Sequence, residues 1–266
     1  MLAVIMRAQN IGPLDYPFIA AMQSAGMIAD EIVIASAPGD VAHLEGLAEW
    51  LNLSATVKII EVEGGYDSDW QVRFWYAAIA NTEADWYFLL DGDECLPDEM
   101  DGAVETILAS GLDFGNFPVK HFFGTPHFET HAPRFYTHHT RLGKAGNFIM
   151  SNERVYRKNA PICDMIGLTE RGTHLIHVAG MEFVCQVQTP IHHYGWCRSD
   201  KAFERHRELG LIAYGASQRD PQEVLKAPLN SQFDMAAERE HLTRFNGAHP
   251  NWMMSWFQDH AEDALH

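Results

Sequence analysis

The strongest constraint on the fold is the regular alternation of short apolar runs with segments of helical spacing through residues 1–110. Four runs have the length of buried strands: LAVIM, DEIVIAS, ATVKIIEVE and ADWYFLLD, which begin at residues 2, 30, 55 and 84. Between them, residues 14–27, 41–53 and 70–80 have the apolar spacing of amphipathic helices. This alternation predicts an α/β fold in which a mostly parallel sheet is covered by helices on both faces.

Polar residues follow the predicted strands where each one ends. Asn10, Asp40, Glu63 and Asp91 come after the first, second, third and fourth runs. Parallel sheets bind ligands outside the carboxyl ends of their strands. We therefore expect a ligand site at this edge of the sheet.

The pattern changes after residue 111. Residues 112–160 are rich in aromatic residues, histidine and glycine, with strand-like alternation and no helical pattern. A helix is predicted again near residues 199–214, and the rest of the chain is polar and mostly helical. We expect one domain over residues 1–200, with halves at 1–110 and 111–200, followed by a helical extension over 201–266.

Charge and composition limit the partners of this chain. The formal net charge of -17 disfavours nonspecific binding to nucleic acid or anionic lipid, so an anionic ligand needs a local positive feature. The first apolar run is too short for a signal peptide, and no segment reaches the length of a membrane span. The four cysteines form no CxxC pair. We therefore expect a cytoplasmic protein without an integral membrane segment.

Three acidic residues end the fourth run: Asp91, Asp93 and Glu94 in WYFLLDGDEC. Carboxylates packed this closely repel one another, so a positive partner is expected beside them. An Asp-x-Asp pair at the end of a strand supplies the oxygen ligands that Mg²⁺ or Mn²⁺ prefers. The alternative is an acidic surface turn that holds no metal.

Five segments together carry a family resemblance: VIMRAQN, DEIVIAS, ADWYFLLDGDECLPDE, RVYRKN at residues 154–159 and IHHYGWCRS at residues 191–199. The chain resembles, on these segments, a family-2 type glycosyltransferase of the GT-A fold. The resemblance covers about residues 2–200. Many members have Asn-Glu after the first strand, whereas Ile11 follows Asn10 here.

The resemblance implies an inverting enzyme that transfers a sugar from a nucleotide-diphosphate sugar, with UDP as the expected nucleotide, to an acceptor hydroxyl of unknown class. It implies a Mn²⁺ or Mg²⁺ ion on the diphosphate, with three metal ligands: Asp91, Asp93 and His193. A histidine ligand favours manganese. His192, the preceding residue, is the alternative to His193.

On the nucleotide side the resemblance places Asn10, Asp40, Arg73 and Asp91. Of these, Asp40 would meet the base and Asp91 the ribose or a metal-bound water.

Such an enzyme also needs a carboxylate that takes the proton from the acceptor hydroxyl. Asp164 and Glu170 are the first candidates, because they follow the RVYRKN strand, where the acceptor loop of such folds runs. Glu129 and Glu153 are further candidates.

Other functions stay open. A sugar nucleotidyltransferase shares the α/β sheet, the acids and Mg²⁺, although the loop RAQNIGPLD lacks the Gly-rich, basic pattern that holds a triphosphate. A non-haem iron oxygenase would use His127 and Glu129, which alternate with His131 on one face of a strand. A noncatalytic sugar- or protein-binding module is the third alternative.

Overall fold

The first four strands of the computed structural model lie side by side and run parallel. They are β1 (Leu2–Ala8), β2 (Glu31–Ser36), β3 (Thr56–Glu61) and β4 (Trp86–Leu90), paired in the order β3–β2–β1–β4. The structure describes residues 1–64, 70–132, 138–145, 148–151, 154–157, 184–197, 205, 208–209, 220–221, 224 and 239–259, without the side chains of 70–72, 148–151 and 154–157.

Helices cover both faces of this parallel part. They are α1 (Phe18–Ile28), α2 (Val41–Leu51), α3 (Trp70–Ile79) and α4 (Met100–Ala109). Val4 and Met6 of β1 pack in the core that contains residues of α1, α2 and α4, whereas Ala3 and Ile5 pack in the core with α3. The alternate residues of β1, β2 and β4 thus enter two different cores, which explains why these strands read as continuous apolar runs. The predicted α/β class with a mostly parallel, helix-covered sheet is confirmed.

The later strands extend the sheet beyond β4. They are β5 (Glu94–Cys95), β6 (Phe114–Phe123), β7 (Thr125–Thr130), β8 (His138–Lys144), β9 (Phe148–Ser151), β10 (Arg154–Arg157), β11 (Val184–Gln186), β12 (Ile191–Trp196) and β13 (Leu242–Arg244). Strand β8 lies between β4 and β6 and is antiparallel to both. Strand β12 is parallel to the second half of β6 and antiparallel to the short β5. This arrangement brings β12 beside the acidic turn that follows β4. Strands β9 and β10 form a separate antiparallel pair.

The segment 239–259 joins the same sheet. Its strand β13 pairs antiparallel with β7, which places three residues of strand in a segment expected to be mostly helical. A 3₁₀ turn (Asn251–Met253) and the helix α5 (Met254–Asp259) follow. Met253 is fully buried in a cluster with Ala20, Cys95 and Phe122. The division of the chain at residue 200 stays a prediction.

No helix within the described residues has both the length and the apolar character needed to cross a membrane. The three described cysteines, Cys95, Cys185 and Cys197, are free thiols.

Candidate active site

Two arginines hold the first acid of the acidic turn. Arg7, near the end of β1, donates through Nε to Asp91 Oδ1 at 2.8 Å, and Arg141 of β8 donates through Nη2 to Asp91 Oδ2 at 3.2 Å. The register of β1 and β4 explains the first contact, since Met6 pairs with Leu90 and the next residues face each other. The Arg7 guanidinium also lies over the ring of Trp75 in α3, 5.1 Å from its centre. Both oxygens of Asp91 therefore face a guanidinium group.

Glu94 stabilises the acidic turn through buried hydrogen bonds. Its side chain is fully buried, and its Oε1 atom accepts a hydrogen bond from Arg141 Nη2. Its Oε2 atom accepts the backbone N–H of Asp91 at 3.1 Å, and the backbone N–H of Glu94 donates to the Asp91 carbonyl at 3.0 Å. The turn is thus fixed by its own backbone and by one arginine that contacts two acids.

The two carboxyl groups respond oppositely to this environment. Burial would raise the pKa of Asp91, but the guanidinium groups of Arg7 and Arg141 hold it below its usual range. Burial raises the pKa of Glu94 to about 8; Arg141 opposes this rise, and the charges of Asp91 and Asp93 add to it. Asp91 is consequently the anionic partner of the arginines. The positive partner that the sequence required is supplied, for Asp91 and Glu94, by protein side chains.

Asp93, the second acid of the Asp-x-Asp pair, lies beside His193, which comes from much later in the chain. The backbone N–H of Tyr194 donates to the Asp93 carbonyl at 2.8 Å, which fixes β12 against the turn. His193 Nε2 then lies 3.7 Å from Asp93 Oδ2, and both side chains are only slightly exposed. A carboxylate oxygen and an imidazole nitrogen at this separation can bind one divalent cation between them.

Gly195 lies directly against this pair. A Cβ atom added at Gly195 would lie 2.5 Å from Asp93 Oδ2 and 2.8 Å from His193 Nε2. No side chain fits there unless the two groups move apart. The glycine of the HHYGW segment is therefore required by the close approach of the backbone to Asp93 and His193.

A second histidine stands behind His193. His121 of β6 pairs in register with His193, and the two Nδ1 atoms are 3.2 Å apart, with the rings edge to face. His121 is 3% exposed. The hydrogen bond between these rings leaves the Nε2 atom of His193 directed toward Asp93.

His192 faces the opposite side of β12. Its ring packs against Phe122, and its Nδ1 atom lies 3.3 Å from the Tyr194 hydroxyl, which also bonds His249 Nδ1 at 2.9 Å. Burial lowers the pKa of His192 to about 3. Of the two adjacent histidines, His193 is the one beside Asp93, and His192 belongs to an aromatic cluster that binds the 239–259 segment.

The residues expected on the nucleotide side lie at the same carboxyl edge. The backbone N–H of Asn10, whose φ of 56° is left-handed, donates to Asp40 Oδ2 at 2.6 Å. Burial raises the pKa of Asp40, although its backbone hydrogen bonds oppose the rise. Arg73 of α3 lies against the loop after β3, since a Cβ atom at Gly64 would be 2.6 Å from its Nη2 atom. The hydrogen bond from Asn10 to Asp40 thus fixes the loop after β1.

Several expected residues are not brought into this site. Asp164, Glu170 and Glu153 lie outside the described residues. His127 is exposed and Glu129 is half-buried on β7, where Thr243 of β13 pairs with Glu129. Within the described part of the chain, no three or more His, Cys, Asp and Glu side chains are grouped so as to hold a metal ion. Among the described residues, Asp93 and His193 are therefore the candidate ligands of a cation.

Sequence reasoning missed three residues of this site: Arg7, Arg141 and His121. Arg7 had a visible signal, since it is a charged residue at the end of an otherwise apolar strand. Arg141 and His121 had none, because their positions depend on the order of β8, β6 and β12 in the sheet.

Comparisons with known proteins give weak similarities only. No family model matches the chain, and no curated protein does. A crystal structure of S. aureus TarS 1-349 aligns with 84% of this chain and 68% of its own, at 11% identity and a TM-score of 0.43. TarS 1-349 in complex with UDP-GlcNAc aligns at 15% identity and a TM-score of 0.39, over 46% of this chain and 35% of its own length. The 4-diphosphocytidyl-2C-methyl-D-erythritol synthase from Anaerococcus prevotii aligns at 10% identity and a TM-score of 0.36, over 85% of this chain and 81% of its own. Similarities at this level indicate no particular function.

Proposed function

We propose that this protein is a metal-dependent glycosyltransferase of the GT-A type, which transfers a sugar from a UDP-sugar to an acceptor hydroxyl. One observation carries the proposal. Asp93 and His193, far apart in sequence, lie 3.7 Å apart at their Oδ2 and Nε2 atoms. They meet just beyond the carboxyl end of β4, next to β1, where α/β sheets bind their ligands.

The proposed cation ligands are Asp93 and His193. Mg²⁺ and Mn²⁺ are commonly held by few protein groups and completed by substrate phosphates and water, which suits a pair better than a closed cage. The imidazole favours Mn²⁺ over Mg²⁺. When bound, the cation supplies positive charge to the diphosphate that leaves the sugar. Both carboxylate oxygens of Asp91 accept hydrogen bonds from arginines. We therefore propose that Asp91 positions Arg7 and Arg141 and is not a ligand of the cation.

The charge of the site supports an anionic substrate. Arg7 and Arg141 balance Asp91 and Asp93, and Glu94 has a raised pKa. A divalent cation would therefore make this edge positive in a chain whose formal net charge is -17. A nucleoside diphosphate has the complementary charge.

The remaining roles follow from the family resemblance. Asp40 and Arg73 would meet the nucleotide, at the ends of β2 and β3, and Asn10 would lie beside them. Asp164 or Glu170 would take the proton from the acceptor hydroxyl. Inversion at the anomeric carbon is part of the same proposal.

Calorimetric titration of UDP tests this function. We expect micromolar binding with Mn²⁺, loss of at least tenfold in affinity with a chelator, and a similar loss in Asp93→Asn with Mn²⁺, because one direct ligand of the cation is weakened. Glu105→Gln, which removes an exposed carboxylate from α4, is the matched control and should bind as the wild type does. Absence of UDP binding under every metal condition would refute the proposal. Binding of UTP or CTP in preference to UDP would favour a nucleotidyltransferase.

A further inference from the structure

His121 lies outside the acidic turn but contacts His193, one of the two proposed cation ligands. It is 3% exposed, and its Nδ1 atom lies 3.2 Å from His193 Nδ1. A hydrogen bond at this distance needs one proton between the two nitrogens. The pair therefore has two neutral arrangements, which differ in which ring carries that proton.

The two arrangements have opposite consequences at the other end of the His193 ring. If His121 donates, His193 carries its own proton on Nε2, and that nitrogen cannot bind a cation. If His193 donates from Nδ1, its Nε2 atom has a lone pair directed toward Asp93. The separation of 3.7 Å between Nε2 and Asp93 Oδ2 is too long for a firm hydrogen bond, so Asp93 alone does not select the first arrangement.

We propose that His121 is a positioning residue that accepts a hydrogen bond from His193 Nδ1 and thereby presents His193 Nε2 to the cation. This inference rests on the proposed function. Its basis is the register of β6 and β12, which pairs His121 with His193 across adjacent parallel strands. Histidine ligands of metals characteristically donate their other ring N–H to an acceptor, and loss of that acceptor weakens metal binding.

Two substitutions of nearly equal shape separate this role from packing. His121→Asn keeps a polar atom in the place of Nδ1, because the Asn carbonyl oxygen is also bonded to Cγ, whereas His121→Leu keeps a similar shape without an acceptor. We measure Mn²⁺ affinity by electron paramagnetic resonance in the presence of saturating UDP, together with thermal unfolding of each variant. His127→Ala, an exposed histidine on β7, is the control.

We expect His121→Leu to weaken Mn²⁺ binding by about 10–100-fold and His121→Asn to stay within about threefold of the wild type. His193→Ala should remove as much affinity as His121→Leu or more, and the double variant should lose no more than His193→Ala.

The inference is overturned if the Leu and Asn variants bind Mn²⁺ equally well, or if the losses of His121→Leu and His193→Ala add. In either case, wild-type binding of Mn²⁺ with UDP leaves the proposed function intact. If the wild type binds no Mn²⁺ with UDP, both the proposed function and this inference fail.

Discussion

Replacing Gly195 by alanine should damage the Asp93–His193 pair. The added Cβ atom would lie 2.5 Å from Asp93 Oδ2, 2.7 Å from His193 Cε1 and 2.8 Å from His193 Nε2. Ordinary contact requires 3.4 Å or more, so both groups must retreat by about 0.6–0.9 Å. Forcing a methyl group into a packed site costs about 1–3 kcal/mol. If this strain is relieved at the site, affinity for UDP with Mn²⁺ falls by about 5–150-fold, at 1.4 kcal/mol per factor of ten.

The assay is calorimetric titration of UDP with Mn²⁺, combined with urea unfolding of the same variant. Gly46→Ala in α2 is the matched control, because nothing lies within 4 Å of a Cβ atom there. That substitution should leave affinity unchanged and slightly increase stability, since alanine is the better helix former. If Gly195→Ala retains both the affinity and the unfolding free energy of the wild type, the backbone at residue 195 does not exclude a side chain.

Three further predictions concern the packing around the site. Arg141→Met removes the hydrogen-bond partner of the buried Glu94 and one of the two guanidinium groups on Asp91, and should lower the free energy of urea unfolding by about 2–4 kcal/mol at pH 7, with a similar loss at pH 5, because the pKa of Glu94 is raised to about 8 and this group is mostly protonated at both pH values; a loss below about 1 kcal/mol at pH 7 would contradict this role of Arg141. The pKa of His192 is lowered to about 3 from 6.5, so only the unfolded chain binds this proton between those values and stability falls with falling pH. His192→Asn should therefore reduce the slope of unfolding free energy against pH by about 1.4 kcal/mol per pH unit between pH 5.5 and 4, and an unchanged slope would show that His192 titrates normally. Phe122→Ala should lower the unfolding free energy by about 3–5 kcal/mol, because the ring is fully buried and stacks on Tyr194 at 4.8 Å; a change below 1 kcal/mol in urea unfolding would show that the cluster does not stabilise the fold.

The parallel part of the fold could be predicted because its signals are local. The strands β1, β2 and β4 are apolar on both faces, β3 contains a run of apolar residues, and each helix between the strands shows its own spacing. Strand β13 could not be predicted, because it has only three residues and all three are half-buried or exposed, so it shows no apolar run. It is a strand through its pairing with β7, which lies more than a hundred residues earlier in the chain. Tertiary pairing overrides local propensity in such short edge strands.

The site could be predicted in part. Asp93 and His193 stand in motifs of the resembled family, and the structure brings them together. The cluster of acids at the end of β4 also led us to expect a positive partner, and Asp91 has one. The partner expected for Asp91 was a metal ion, whereas the structure shows Arg7 and Arg141. Arg141 reaches Asp91 because β8 lies between β4 and β6 in the sheet. The sequence around Asp91 gives no indication of this strand order, so the contact could not be predicted. The pairing of His121 with His193 depends on strand register for the same reason.

Anomalous scattering from crystals grown with UDP and MnCl₂ would locate the Mn²⁺ ion and so test whether Asp93 and His193 bind it. We expect one peak between Asp93 Oδ2 and His193 Nε2, at coordination distance from both atoms, with the diphosphate on its open side and Asp91 still hydrogen-bonded to Arg7. A peak at Asp91 with Arg7 displaced would contradict the assignment of the ligands. Bound UDP with no Mn²⁺ peak at Asp93 and His193 would contradict the proposed metal site altogether.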